Sequence, residues 1–145
     1  MDRPLTEHIK NDGSPLSLKE YEATGGYEGL RKALKLTPAE VLNVVKESKL
    51  RGRGGAGFPT AMKWSFVPMG DNAPPVKYLV ANGDEMEPGT FKDRLLIECN
   101  PHQLIEGMII SAYTIGASMS YIFLRWAYHL AAKRVLEALD EAYKA

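Results

Sequence analysis

The chain has 145 residues, 45% of them hydrophobic and 25% charged; that is the composition of one soluble globular domain, long enough to build a core without disulfide staples. Eighteen basic residues balance eighteen acidic ones, which excludes a global basic field that would gather nucleic acid or an anionic membrane. One cysteine, Cys99, excludes an internal disulfide framework and any all-cysteine cluster held by this chain alone.

Residues 1–16, punctuated by Pro4, Gly13 and Pro15, read as an extended arm. Met1-Asp2-Arg3-Pro4 opens no basic-plus-apolar leader, so the cytoplasm is the expected compartment. Ser17-Leu18-Lys19-Glu20 has the spacing of a capping box and predicts a short helix that stops at Gly25-Gly26. A second short helix is expected over Tyr27 to Lys35. Thr37-Pro38-Ala39-Glu40 is a stronger start, because proline sits where no amide donor is needed. Val41, Leu42, Val44 and Val45 carry that helix's apolar face to about Ser48. Leu50 to Pro59 is irregular, since four glycines in six residues cost too much backbone entropy for a helix or strand. Met69 to Pro75 is a second loop.

Lys77 to Ala81 reads as a short buried strand, and Asn82 to Gly89 as the loop leaving it. A helix is expected over Thr90 to Glu98, and a longer one from Pro101 with Leu104, Ile105, Met108, Ile109 and Ala112 at helical spacing. Gly107 to Leu124 carries no charge and approaches the length of a membrane span. Gly107, Ser111, Thr114, Gly116, Ser118 and Ser120 interrupt it, so it reads as a buried helix followed by a buried strand, Ser120 to Leu124. Ala127 to Tyr143 is a final amphipathic helix. Strand, helix, strand and helix with long crossovers predict a parallel α/β sheet. Two strands are few for such a sheet, so the unit is expected to be incomplete.

Gly52-Arg53-Gly54-Gly55-Ala56-Gly57 fits G-x-G-x-x-G. A helix precedes it where a dinucleotide fingerprint needs a strand, and Phe58 and Pro59 stand where a Walker A loop needs Lys and Ser/Thr. Side-chain-free positions still let amides approach a phosphate or a flat ring, with Arg51, Arg53 and Lys63 supplying charge. A flexible surface loop is the alternative; Leu50, Phe58, Trp64 and Phe66 around the loop favour a cradle held against a core. Asp84, Glu85 and Glu87 follow a strand, on the side where open α/β sheets bind ligands. They fit a solvated turn, a weak metal site without histidine, or acceptors for ribose hydroxyls. Phe58 and Phe66 fit either core or a stacking pair for an adenine ring. His8, His102 and His129 are scattered and read as capping or surface residues; Cys99 reads as buried and inert.

Taken together, Leu50 to Thr60, Lys63-Trp64-Ser65-Phe66 and Asn82 to Arg94 resemble the FMN- and NADH-binding flavoprotein subunit of respiratory complex I, the F-type subunit of NADH-quinone oxidoreductase. Diaphorase subunits of NAD-linked hydrogenases and formate dehydrogenases share the module. The likeness runs from about Tyr21 to the C-terminus, through Pro101-His102, Glu106-Gly107-Met108 and Tyr121-Ile122-Phe123-Leu124-Arg125. It implies an α/β fold: an incomplete Rossmann-like parallel-sheet domain with a helical N-terminal lead-in, the arm and short helices over 1–36 and the first part of the FMN/NADH domain over 37–145. It implies that Gly52, Arg53, Gly54, Gly55, Ala56, Gly57 and Lys63 contact FMN, and that Asn82, Asp84 and Glu85 hold its ribityl and ring edges. Phe58 and Phe66 would sandwich the adenine of NADH, with Glu87 near the nicotinamide. No catalytic acid–base residue and no metal ligand is assigned. In that family FMN takes a hydride from NADH and single electrons pass on to iron–sulfur clusters and a quinone.

The family pattern also implies partners: a [2Fe-2S] thioredoxin-like subunit and a multi-cluster iron–sulfur subunit, in the cytoplasmic peripheral arm of a membrane-associated complex, with no nucleic acid and no direct membrane insertion. The family's [4Fe-4S] cysteines, its ubiquitin-like domain and a second FMN segment leading into Cys-Gly-Glu-Glu have no counterpart here. The chain is therefore expected to be an N-terminal fragment or a truncated product. A non-catalytic structural or docking subunit is the competing reading. Ala81 and Gly83 stand where the family usually has Cys and Ala, and Trp126-Ala127 where Gly-Glu is common.

Overall fold

The computed structural model describes residues 3–145, Asn72 by its main chain only. The elements in chain order are α1 (Leu18–Ala23), α2 (Glu28–Ala33), α3 (Pro38–Glu47), α4 (Thr60–Ser65), β1 (Tyr78–Gly83), α5 (Lys92–Cys99), α6 (Pro101–Ile115), β2 (Met119–Leu124) and α7 (His129–Lys144), with a 3₁₀ turn at Gly70–Asn72. Both capping boxes form as their spacing requires: Ser17 with Glu20, and Thr37 with Glu40 behind Pro38. Helix α6 begins on Pro101 and ends on Gly116 at φ +64°, a left-handed cap whose amide bonds back to Ala112 and Tyr113.

Strands β1 and β2 pair in parallel, from Tyr78 opposite Met119 to Gly83 opposite Leu124. Helices α5 and α6 make the crossover between them. Ile97, Leu104, Ile122, Leu124, Tyr128, Ala131, Val135 and Leu139 form the core on the helix-covered face. Gly83 permits this packing, because a Cβ there would lie 2.9 Å from Leu124 Cδ2 and 3.0 Å from Ile97 Cδ1. The architecture is the incomplete α/β unit expected, with a helical lead-in. No helix among the described residues is long and apolar enough to cross a membrane.

The lead-in has its own small core of Leu16, Tyr21 and Tyr27, flanked by Leu18 and Leu30. A buried polar network fastens it to α6 and α7. The Glu106 carboxylate accepts from the Tyr21 hydroxyl (2.5 Å) and from the amides of Tyr27 and Leu30, both at 2.9 Å. His102 is fully buried, with Nδ1 3.0 Å from the Tyr27 hydroxyl and Nε2 3.2 Å from the Glu141 carboxylate. A hydrogen on Nε2 satisfies both contacts. Glu141 also accepts the Leu18 amide at 2.6 Å. Burial first, and then the nearby Glu106 charge, push the Tyr27 phenol up to about 12 and raise Tyr21 as well.

Four expectations need correction. The strands are buried on one face only: Tyr78, Val80, Met119, Tyr121 and Phe123 are each at least half exposed. Parallel sheets are normally covered on both faces, and no described element lies over this one. Asn82 and Gly83, expected in a loop, extend β1 because Phe123 and Leu124 pair with them. Helix α4 is added to the expected elements; six residues without a capping side chain carry no periodic signal. His102 is neither a cap nor a surface residue, since its ring is the hinge pin of the network.

Candidate functional site

The glycine loop is a closed-necked bulge between α3 and α4. Arg51 and Pro59 form an antiparallel bridge; the Gly52 amide bonds to the Phe58 carbonyl at 2.8 Å, and the Thr60 amide to Leu50 at 2.9 Å. Beyond the neck the chain turns back through Gly55 at φ +122° and Gly57 at φ +59°, conformations that favour glycine. Arg51 donates from Nε to the Gly57 carbonyl at 2.5 Å, so this guanidinium is spent inside the loop. Arg53 and Lys63 stand exposed.

Gly54 differs from Gly55 and Gly57. Its φ is not in the left-handed region, and a Cβ there would meet nothing within 4 Å. The fold itself does not require glycine at this position. Of the four flanking residues expected to hold the loop against a core, only Trp64 is partly buried; Leu50, Phe58 and Phe66 are exposed. Apolar flanks show where contact is sought, not that the chain supplies it. The Phe58 and Phe66 rings come together with centroids 6.2 Å apart and planes tilted 51°. That spacing leaves no slot between them in this arrangement; their outer faces are the free ones.

The acidic loop leaves the carboxyl end of β1. Asn82 Oδ1 accepts the Asp84 amide at 3.0 Å and turns the chain. Glu85 points inward and is 5% exposed. Its carboxylate accepts the amides of Asp93 (3.0 Å) and Arg94 (2.9 Å), and so caps α5. Lys92 Nζ lies 3.6 Å away, the Tyr128 hydroxyl donates at 3.4 Å, and Arg125 donates to the Glu85 carbonyl at 2.7 Å. Burial alone would raise this carboxyl, but the two amides and the Lys92 ammonium outweigh it and hold it below the usual range. Asp84 is partly exposed and Glu87 exposed, and neither carboxylate has a hydrogen-bond partner among the described residues.

The site residues thus fall into two groups. Gly52 to Gly57, Phe58, Lys63 and Phe66 sit together on the α3–α4 side, and Asn82, Asp84, Glu85 and Glu87 on the β1 exit. No hydrogen bond or ion pair joins the groups among the described residues, and Gly52–Gly57 line neither of the two large grooves. No cluster of three or more His, Cys, Asp or Glu among the described residues is arranged to hold a metal. Sequence reasoning missed Arg125 and Tyr128, which tie the acidic loop to β2 and α7. Their signal is tertiary, since they reach Glu85 across 40 and 43 residues.

A family described as the Nuo51 FMN-binding domain matches residues 45–145. The F-type subunit of NADH-quinone oxidoreductase in Escherichia coli (strain K12) is 52% identical over 143 residues, 98% of this chain and 32% of that protein. The second such F-type subunit, in Rhizobium meliloti (strain 1021), is 58% identical over 128 residues, 88% of this chain and 30% of that protein. In a crystal structure of an air-oxidized NAD+-reducing [NiFe]-hydrogenase, one chain superposes with a TM-score of 0.75 at 38% identity, over 91% of this chain and 23% of that one. This chain spans about a third of the length of the curated relatives it matches. With its glycine loop between two helices, its acidic loop at a parallel strand's exit and a family match over more than half its length, the chain belongs to the Nuo51 FMN-binding domain family.

Proposed function

We propose that the chain supplies the first part of an FMN site in an NADH-oxidising flavoprotein. The observation that carries this reading is Gly54: a Cβ there would meet nothing within 4 Å, so the backbone at the loop's crown stands open to the close approach of a phosphate or a flat ring. In this reading the amides of Gly52, Gly54, Gly55, Ala56 and Gly57, with Arg53 and Lys63, receive the phosphate and one ring face. Asn82 and Asp84 hold ribityl hydroxyls and ring edges from the β1 exit. Glu85 serves the same side from behind, by capping α5 and bolting the loop to β2. Phe58 and Phe66 offer aromatic faces to the adenine of NADH, and Glu87 accepts from its nicotinamide end. Bound FMN would supply the hydride acceptance and one-electron release; the chain's residues position, neutralise and orient. Electrons would leave towards iron–sulfur clusters and a quinone held by partner subunits of the [2Fe-2S] thioredoxin-like and multi-cluster types, in a cytoplasmic peripheral arm.

A specific observation favours a second reading, a non-catalytic docking subunit: the two groups of site residues share no hydrogen bond or ion pair, and the outer sheet face is bare. Flavin content of the natively purified assembly separates the two. In that assembly, Gly54→Val is expected to cut FMN retention at least tenfold while leaving thermal stability within about 0.5 kcal/mol, since a Cβ there meets nothing within 4 Å and its φ is not left-handed. Normal flavin content in Gly54→Val would reduce the loop to a surface feature.

A further inference from the structure

The acidic loop between β1 and α5 is held at two points, and each governs a different half of it. In the front half, Gly83 pairs with Leu124 at the end of β2, and Asn82 Oδ1 accepts the Asp84 amide at 3.0 Å. These contacts are local and set where Asp84 stands. The back half begins at Glu85, whose two ends are fastened to different elements. Its carboxylate accepts the Asp93 and Arg94 amides of α5, while its main-chain carbonyl accepts from Arg125 Nη1 at 2.7 Å. Arg125 directly follows β2, and its own carbonyl accepts the Tyr128 amide at 2.9 Å in the turn into α7.

Beyond Glu85, only Met86 separates this anchor from a second stiff piece. Glu87-Pro88-Gly89-Thr90 is a tight turn in which the Thr90 amide bonds to the Glu87 carbonyl at 3.1 Å. Proline at its second position and Gly89 at φ +79° at its third make the pattern of a type II turn. Met86 is 70% exposed, and its peptide N–H and C=O make no hydrogen bond among the described residues. No hydrogen bond within the loop therefore fixes the angle between this turn and the strand exit. The Arg125 guanidinium does, because its grip on the Glu85 carbonyl fixes the plane of the peptide that joins Glu85 to Met86. This is the one polar contact that guanidinium makes among the described residues.

We propose that Arg125 is a positioning residue for the nucleotide half of the site: it aims the Glu87 carboxylate, without setting Asp84 and without touching the nucleotide itself. The inference rests on the FMN and NADH reading above, which gives Glu87 to the nicotinamide end of NADH. It adds that the two unpartnered carboxylates of the loop are placed by separate devices. Asp84 is placed by Asn82 within the strand, and Glu87 by a guanidinium that arrives from the end of β2, 40 residues on. The guanidinium keeps further N–H donors, so direct contact with a nucleotide phosphate is the rival role. Glu87 separates the two, because a residue that acts through Glu87 has nothing to act through once that carboxylate is gone.

Two measurements test it, one of them without flavin. In the 145-residue chain, Arg125→Gln should lower the backbone order parameters of Met86, Glu87 and Gly89 from about 0.8 to below about 0.6. Asp93 and Arg94 should keep their slow amide exchange, because the Glu85 carboxylate still holds them. In the natively purified assembly, Arg125→Gln should raise KM for NADH about tenfold, the scale of one misaimed charged hydrogen bond, and change kcat less than about threefold. Flavin content should equal the parent's, and Arg125→Lys, which retains a charged donor, should recover part of the KM. With Glu87→Gln already in place, adding Arg125→Gln should raise KM no further. Unchanged order parameters or a parental KM in Arg125→Gln would overturn the inference. So would a full further rise in the Glu87→Gln background, which would put Arg125 on the nucleotide directly. A parent assembly that holds no flavin or does not oxidise NADH defeats the FMN reading and this inference with it, whereas an active parent indifferent to Arg125 defeats the inference alone.

Discussion

The lead-in side of the molecule and its strand-exit side carry similar residues and treat them differently. On the lead-in side Glu106 takes two amides and a phenol, His102 uses both ring nitrogens, and the aromatic rings of Tyr21 and Tyr27 are buried. On the strand-exit side Phe91 and Trp126 face solvent, while the Asp84 and Glu87 carboxylates have no partner among the described residues. Only Glu85 resembles Glu106, as a buried carboxylate on two backbone amides. The contrast teaches that one domain can satisfy its polar groups against itself in one place and leave them for something else in another. Aromatic rings and carboxylates alone do not say which; the presence of a main-chain donor within reach does.

The largest test of the contrast is Glu106→Ala. It strands two amides and a buried phenol at once, each worth about 1–3 kcal/mol when left unpaired, so a loss of about 3–5 kcal/mol is expected in urea unfolding. A loss under about 1 kcal/mol would mean that the lead-in is not held by this network. Glu85→Gln comes next: it keeps an acceptor for α5 but removes the charge, at about 1–2 kcal/mol. The sign with pH follows from the lowered folded value. Glu85 contributes its full stabilisation above the unfolded carboxyl value of 4.5 and loses it as pH falls through the lower folded one. Stability measured from about pH 6 down to about pH 3 should therefore fall less steeply in Glu85→Gln than in the parent. The smallest effect is expected on the bare sheet face. Tyr121→Ser should change stability by no more than about 0.5 kcal/mol, with reduced binding of a hydrophobic dye. A loss of several kcal/mol there would show that the face is covered.

Legibility in the sequence followed the range of the contact. Ser17 with Glu20, Thr37 with Glu40, and Pro101 mark helix starts because their signals lie within one turn, and all three behave as read. The capping of α5 does not: the acceptor is Glu85, eight and nine residues upstream of the amides it holds. The irregular backbone at Gly52–Gly57 is plain from four glycines, whereas its lack of support from Leu50, Phe58 and Phe66 is not. Hydropathy marks those side chains as wanting cover and cannot say whether cover exists. The same blindness makes Tyr78, Val80, Tyr121 and Phe123 read as buried. The grouping of Asn82, Asp84, Glu85 and Glu87 at one strand exit is readable, but the bolt from Arg125 is not.

The hydrogen bond from the Leu18 amide to Glu141 spans 123 residues, and it sets an order of events during synthesis. Helices α1 and α2 leave the ribosome before their anchor points, Glu106, His102 and Glu141, are made. Until α6 emerges, Tyr21, Tyr27 and Leu30 wait without Glu106 and His102, as a loosely collapsed cluster, and until α7 emerges the Leu18 amide and His102 wait without Glu141. These earlier helices are therefore among the last elements to be fixed. A ribosome pause between α6 and α7 would hold the chain at the stage where α1 and α2 can touch Glu106 but cannot yet close on Glu141.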